Sequence, residues 1–391
     1  MRDATRPFAP TDLYWNIPLT ADPAPVNTPR EKPDTVAPLA FHRRLPDYAV
    51  TPLHDVPALA RRLGVGQVLV KDESRRLGLP AFKMLGASWA VYRALRERLP
   101  TLGDDWDDVA ELQDRVAPLR PLTLVAATDG NHGRAVARMA RLLGFAAAIF
   151  VPAGTVQARI DAIAGEGASV DVVPGTYNDA VRRSAEMAGE RDHTLVISDT
   201  AWPGYETVPR WVIDGYGTIF AEVETQLAER GQPSPDLVAV QMGVGALAAA
   251  TIAAADTMRP RPHVIGVEPD TAACVLASLR AGRPVAVPEP NRSVMVGLNC
   301  DQPSPVAWPT LRSGLDLTVA IPDNAALAAL GLLAKAGIEA GETGAAGLAG
   351  LLALRSSDEV RRRLGLTEAS CVLVIATEGT TGAKGTKERK E

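Results

Sequence analysis

The chain has 391 residues, 46% hydrophobic and 22% charged, an ordinary balance for a globular protein large enough for two lobes. A net charge of −5 and a pI near 5.7 argue against a nucleic-acid binder, which should show a basic stripe, and the mixed-charge "KGTKERKE" end is too short to reverse that. The opening "MRDATRPFAPTDLYWNIP" has no apolar stretch of a secretory leader, and three cysteines without CxxC or metal spacing fit a reducing cytoplasm and no metal.

Residues 1–45 are proline-rich and read as an irregular arm. "GQVLVKDES" predicts a short strand, and Phe82 to Leu99 a helix with apolar residues at helical spacing. At its start, "AFKMLGAS" puts Lys83 between a phenylalanine and a methionine. Lysine is scarce here, seven against thirty-four arginines, and three of the seven lie in the last eight residues. Where arginine serves as the general cation, a lysine kept in an apolar setting is a candidate amine, able to form a Schiff base as a guanidinium cannot. The plainer alternative is a lysine whose stem packs on apolar surface while its head reaches water.

Residues 101–120 read as a polar insertion with one helix. A regular alternation follows: "LTLVAAT", "AAAIFVP", "SVDVV" and "LVISDT" as strands, with helices over "NHGRAVARMARLLG", "GTVQARIDAIAGEG" and "YNDAVRRSAEMAGER" between them. It resumes with "LVAVQ", "HVIGVEP", "LTVAIP" and "CVLVIAT". Strands alternating with helices of this length predict βαβ units and parallel sheets, an α/β fold of two lobes. The smaller spans 85–204 and the larger 1–84 with 205–391. The apolar run 237–255 is long enough for a membrane span, but Gln241, Gly243 and Gly245 make it strand, glycine turn and buried helix.

Active sites in such sheets collect at the carboxyl ends of strands. Four loops stand there. "TDGNHG", 128–133, offers helix-start amides with Thr128 and Asn131 as anion partners, although capping alone explains those residue types. "QMGVGALA", 241–248, has glycines that let amides cradle a phosphate. It lacks the third glycine of a dinucleotide fingerprint and the lysine of a P-loop, so a phosphate monoester fits better, and close strand–helix packing is the alternative. "SDTAWPGY" places Asp199 beside two aromatics, where an acid with a raised pKa acts in proton transfer, or else caps a helix. "ATEGTTG" ends the last strand with the Thr377 hydroxyl and the Glu378 carboxylate. Jointly these supply an amine, a phosphate cradle, an anion site, a ring-nitrogen partner and carboxylates, which are the needs of pyridoxal 5′-phosphate.

The order of "AFKMLGAS", "TDGNHG", "GVGA" and a final strand ending in a hydroxyl residue resembles the fold-type II pyridoxal-phosphate enzymes. Within them the wording is most similar to the diaminopropionate ammonia-lyase family. The marks are Ala81 and Leu85, Asp129 in "TDGNHG", "DTAWPGYETVPRWVIDGYGTI", "GLNCDQPSPVAWP", "ETGAAGL" and "TEG". The resemblance covers about residues 65–382. It implies two open, twisted, mostly parallel α/β sheets with the cofactor between the lobes, and a homodimer. It implies that Lys83 holds the cofactor, Asn131 meets its ring hydroxyl, Gly243, Val244, Gly245 and Ala246 its phosphate, and Thr377 its ring nitrogen. Thr128 and Gly130 would hold the carboxylate of a small amino-acid substrate.

The implied activity is α,β-elimination of D- and L-2,3-diaminopropionate to pyruvate and ammonia. Turnover of both enantiomers needs a base on each face. Lys83 is read for the L face and Asp129 for the D face, with Asp199 binding the β-ammonium or helping as acid. Two departures bear on the substrate: "TEGTTG" lacks an acid after "TEG", and Val296 stands where the family pattern has alanine. The alternatives are a serine or threonine dehydratase, from which Asp129 argues away, β-replacement in specialised amino-acid synthesis, and a non-catalytic sensor on the same scaffold.

Overall fold

The computed structural model describes residues 9–16, 36–128, 130–190, 193–288 and 292–380. Its strands are β1 (Asp12–Trp15), β2 (Leu53–Asp55), β3 (Gln67–Asp72), β4 (Thr123–Ala127), β5 (Ala146–Pro152), β6 (Ser169–Val173), β7 (Thr194–Val196), β8 (Leu237–Gln241), β9 (His263–Pro269), β10 (Leu317–Ile321) and β11 (Cys371–Ala376). Among the described residues they form two sheets in two compact units. One unit takes 9–16, 50–74 and 217–379, the other 36–49 and 75–216.

The first unit holds a seven-stranded sheet in the order β1-β10-β9-β8-β11-β3-β2. The inner five strands run parallel, and β1 and β2 are antiparallel edges. Every residue of β8 and β10 is buried, as continuous apolar runs in a parallel sheet require when both faces are covered. The helix Ala346–Leu354, "AGLAGLLAL", is apolar all round and wholly buried against β8, β9 and β10. Gly350 makes that approach possible: a Cβ there would lie 2.5 Å from Val267.

The second unit holds a four-stranded parallel sheet in the order β6-β5-β4-β7. The helices Asn131–Leu143, Gln157–Ala164 and Tyr177–Glu190 form its crossovers. Strands and helices therefore fall where the periodicity places them. Residues 237–255 resolve into β8 and the helix Ala246–Ala255, and no described helix is long and apolar enough to cross a membrane.

The expectation of an irregular arm over residues 1–45 needs correction where the structure describes it. β1 pairs with β10 in the register Asp12↔Ala320, and Val36–His42 is a helix. Neither carries a local signal. The strand is half-buried along its whole length, so no alternation shows. The helix has only 7 residues and contains Pro38. It is held by tertiary packing: Phe41 is wholly buried, stacked on Tyr92 at 4.8 Å with Trp89 and Trp106 edge-on.

Candidate active site

In the four-stranded unit, Lys83 opens the helix Lys83–Arg98. Its Nζ donates to Asp199 Oδ2 at 2.7 Å, and the ring centroids of Phe82 and Tyr216 lie 5.5 and 6.0 Å away. Asp199 stands just beyond β7, in a loop tied down by Tyr205, whose hydroxyl donates to the Val196 carbonyl and accepts from the Ser198 N–H. Tyr205 stacks on Trp202 at 4.1 Å, so the aromatics beside Asp199 brace its loop. Its second oxygen accepts from the Tyr177 hydroxyl at 3.2 Å.

The sequence suggested a raised pKa for Asp199, and the structure reverses the direction. Burial alone would push it up. The Lys83 ammonium outweighs that, aided by His132 and by hydrogen bonds from Lys83 and Tyr177, and holds the carboxyl well below the usual range. Lys83 and Asp199 thus form an ammonium–carboxylate pair. Sequence could not show that a lysine 116 positions earlier would sit against this acid.

Thr128 lies just past β4, and its Oγ accepts from the Gly130 N–H at 2.9 Å, so that amide is committed to a local turn. Asn131 is the first residue of the following helix. His132 is buried and donates from Nε2 to the Ile197 carbonyl at 2.8 Å, which links this helix to the chain leaving β7. Asp129 lies outside the described residues.

The seven-stranded unit contains the other group of expected residues. Gly243 to Ala246 lead from β8 into the helix Ala246–Ala255, with Gly245 as its N-cap at φ +92°. A Cβ on Gly243 would lie 3.0 Å from Cys300 Sγ and 3.1 Å from the Gly297 carbonyl, and one on Gly245 2.4 Å from Leu311. At Gly245 the left-handed backbone requires glycine, and at Gly243 a Cβ would crowd its neighbours. Ser304 donates its N–H to the Val244 carbonyl, while its buried Oγ has no hydrogen-bond partner. Thr377 follows β11 directly and is buried, with its Oγ accepting from Gln241 Nε2 at 2.7 Å. Glu378, also buried, accepts at its carbonyl from the Gly341 N–H.

Within the four-stranded unit the structure brings Lys83 and Asp199 into contact and places Thr128 and Gly130 in one turn. Within the seven-stranded unit it sets the glycine loop and Thr377 at the ends of neighbouring parallel strands, β8 and β11. Sequence reasoning passed over Tyr177, Gln241 and Ser304. The first two were findable, because Tyr177 begins the helix after β6 and Gln241 is the one polar residue of β8.

These residues fit pyridoxal phosphate. A glycine-built loop at the N-terminus of a ten-residue helix, with an orphan hydroxyl beside it, suits a phosphate dianion. A buried threonine hydroxyl suits a ring nitrogen, and a lysine amine beside two aromatic rings suits the aldehyde. When bound, the cofactor supplies an electron sink for charge developing at the substrate's Cα.

The family model described as pyridoxal-phosphate dependent enzyme matches residues 45–377. The diaminopropionate ammonia-lyase of Salmonella typhimurium is 37% identical over 362 residues, 88% of this chain and 88% of that one. A crystal structure of the Escherichia coli enzyme in complex with D-serine has a TM-score of 0.85 at 33% identity, covering 97% of this chain and 96% of that one. The same enzyme in complex with an aminoacrylate-PLP azomethine reaction intermediate has a TM-score of 0.83 at 34% identity over the same shares. With the family model spanning most of its length, the chain belongs to the pyridoxal-phosphate-dependent enzymes and, within them, to the diaminopropionate ammonia-lyase family.

Proposed function

We propose that this protein uses pyridoxal phosphate to eliminate the β-amino group of D- and L-2,3-diaminopropionate, consuming water and giving pyruvate and two ammonia. The observation that carries the reading is the Lys83–Asp199 contact. A β-amino group leaves only when protonated, and a site for such a substrate needs a carboxylate at the ammonium. Asp199 is already paired with an ammonium, its carboxyl held in the ionised form by that charge. When the Lys83 amine is engaged by the cofactor, the same carboxylate is left to receive the substrate's β-ammonium. Asp199 is therefore a binding group more than a proton donor.

Lys83 holds the cofactor and moves the α-proton on the L face, and Asp129 serves the D face. Thr128, with neighbouring backbone amides, holds the substrate carboxylate. Gly243, Val244, Gly245 and Ala246 hold the phosphate, Asn131 the ring hydroxyl and Thr377 the ring nitrogen. The same reading carries a homodimer in the cytoplasm.

The test is product release from the reconstituted enzyme with D- and L-2,3-diaminopropionate, D- and L-serine, and L-threonine at equal concentration. Pyruvate from both diaminopropionate enantiomers, with serine far slower, is expected. Turnover confined to serine, or of threonine to 2-oxobutyrate, would move the protein to the dehydratases. No turnover of any of the five by a cofactor-loaded protein would favour β-replacement.

A further inference from the structure

Gln241 is the one polar residue of β8, otherwise Leu-Val-Ala-Val, and only 3% of it is exposed. A buried primary amide has two N–H donors and one carbonyl to place. Its Nε2 lies 2.7 Å from Thr377 Oγ1 and 3.1 Å from both the Thr343 and Ile375 carbonyls. Backbone carbonyls only accept, so the nitrogen and not the oxygen must face this group, which fixes the amide's orientation. Gln241 Oε1, on the other side, is buried and accepts from nothing. The arrangement costs an unsatisfied carbonyl and keeps a donor aimed at Thr377.

The consequence lies in the direction of the hydrogen bonds. Two hydrogens serve three acceptors here: the shortest contact, to Thr377 Oγ, takes one and the two carbonyls share the other, so the Thr377 proton must go to another acceptor. We infer that Gln241 is a positioning residue whose donation to Thr377 turns the hydroxyl proton toward the ring nitrogen of pyridoxal phosphate and keeps that nitrogen a hydrogen-bond acceptor. This rests on the reading of Thr377 given above. A ring nitrogen without its own proton is a weaker electron sink, which shifts the burden of the elimination onto the groups around the substrate.

The test uses apo-protein of wild type, Gln241→Met, Gln241→Glu and Thr377→Val, each reconstituted with pyridoxal phosphate. Cofactor affinity, the pH titration of the bound cofactor's visible absorption, and Tm are read together. Gln241→Met keeps the length of the side chain and removes the donor. It should bind the cofactor about tenfold more weakly, the cost of one misdirected hydrogen bond, with a displaced titration. Gln241→Glu should behave like wild type at low pH, where a protonated carboxyl still donates, and should bind the cofactor more weakly once ionised, because a carboxylate accepts the Thr377 proton instead of donating to its oxygen. In a Thr377→Val background neither change should matter further.

A lowered Tm with wild-type affinity and titration would make Gln241 a structural tie between strands and overturn the inference. If Gln241→Met does not fold, the pH dependence of Gln241→Glu decides in the same way. Thr377→Val separates the two readings. If it leaves the cofactor unchanged, the role of Thr377 itself fails. If it alters the cofactor while the Gln241 variants do not, only the present inference fails.

Discussion

Lys71 and Lys83 each place an ammonium 2.7 Å from a carboxylate oxygen, Glu222 in the seven-stranded unit and Asp199 in the four-stranded unit. Both lie in apolar stretches of sequence, and scarcity of lysine marks them equally. The difference is in the surroundings. Lys71 sits in β3 with a side chain that is 0% exposed, and its three N–H donors meet Glu222, the Thr51 carbonyl and Gln226 Oε1. Lys83 stands at a helix start with its side chain 22% exposed, facing an acid on a strand-end loop. The reactive lysine is thus distinguished by access and by the loop that carries its partner, not by the apolar residues beside it in sequence. A saturated lysine has no way to exchange its partner for a substrate.

The largest expected effect comes from Lys83→Ala. Turnover of diaminopropionate should fall on the order of 10⁴-fold or more, as for other groups on which a reaction depends covalently. Borohydride should no longer fix the cofactor to the protein. Stability should fall less than for a fully buried pair, because the Lys83 side chain is 22% exposed, although Asp199 is then left buried without its cation. Substantial turnover in this variant would remove the distinction between the two lysines and the proposed function with it.

Lys71→Met should reverse the pattern. Removing one partner of a fully buried pair strands Glu222 and costs about 3–5 kcal/mol of stability. Denaturant unfolding of the apo-protein measures this, and the folded fraction should keep its turnover per site. Adding Glu222→Leu should restore part of the loss, since the stranded partner charge is then removed. A Lys71→Met protein as stable as wild type would mean that this pair contributes nothing net, and the contrast would rest on Lys83 alone.

The contrast also shows what was legible in the residues. "AFKMLGAS" marks Lys83 through its neighbours, and the parallel strands announce themselves through buried apolar runs such as "LVAVQ" and "CVLVIA". Glycine loops at strand ends follow from the same rule. What stayed hidden depends on pairs far apart in the chain. Asp12 faces Ala320 in the edge strand, Phe41 finds its aromatic neighbours only in the folded unit, and Gln241 meets Thr377 across 136 positions. Asp199 is the instructive case, because its position at a strand end was readable while the direction of its pKa was not. That direction belongs to Lys83, and no local pattern reports it.

Asp199→Asn sharpens the comparison at its smallest scale, because it alters the partner and leaves the amine. An asparagine keeps the shape and loses the charge that would hold a β-ammonium. We expect kcat/KM for diaminopropionate to fall about 10- to 100-fold, the cost of losing one hydrogen bond to a charged group. Serine, which has no β-ammonium, should lose much less, so the ratio of the two substrates is the decisive reading. Equal losses would mean that Asp199 acts only by placing Lys83. The stability linkage has a definite sign. The folded-state carboxyl lies below its usual value of 3.8, so the pair's contribution is fully present above that pH and is lost as pH falls toward the folded value. The stability difference between wild type and Asp199→Asn should therefore be flat at neutral pH and shrink only in acid. A difference that already shrinks near pH 6 would mean that the carboxyl titrates high, as the sequence first suggested, and would return Asp199 to the role of proton donor.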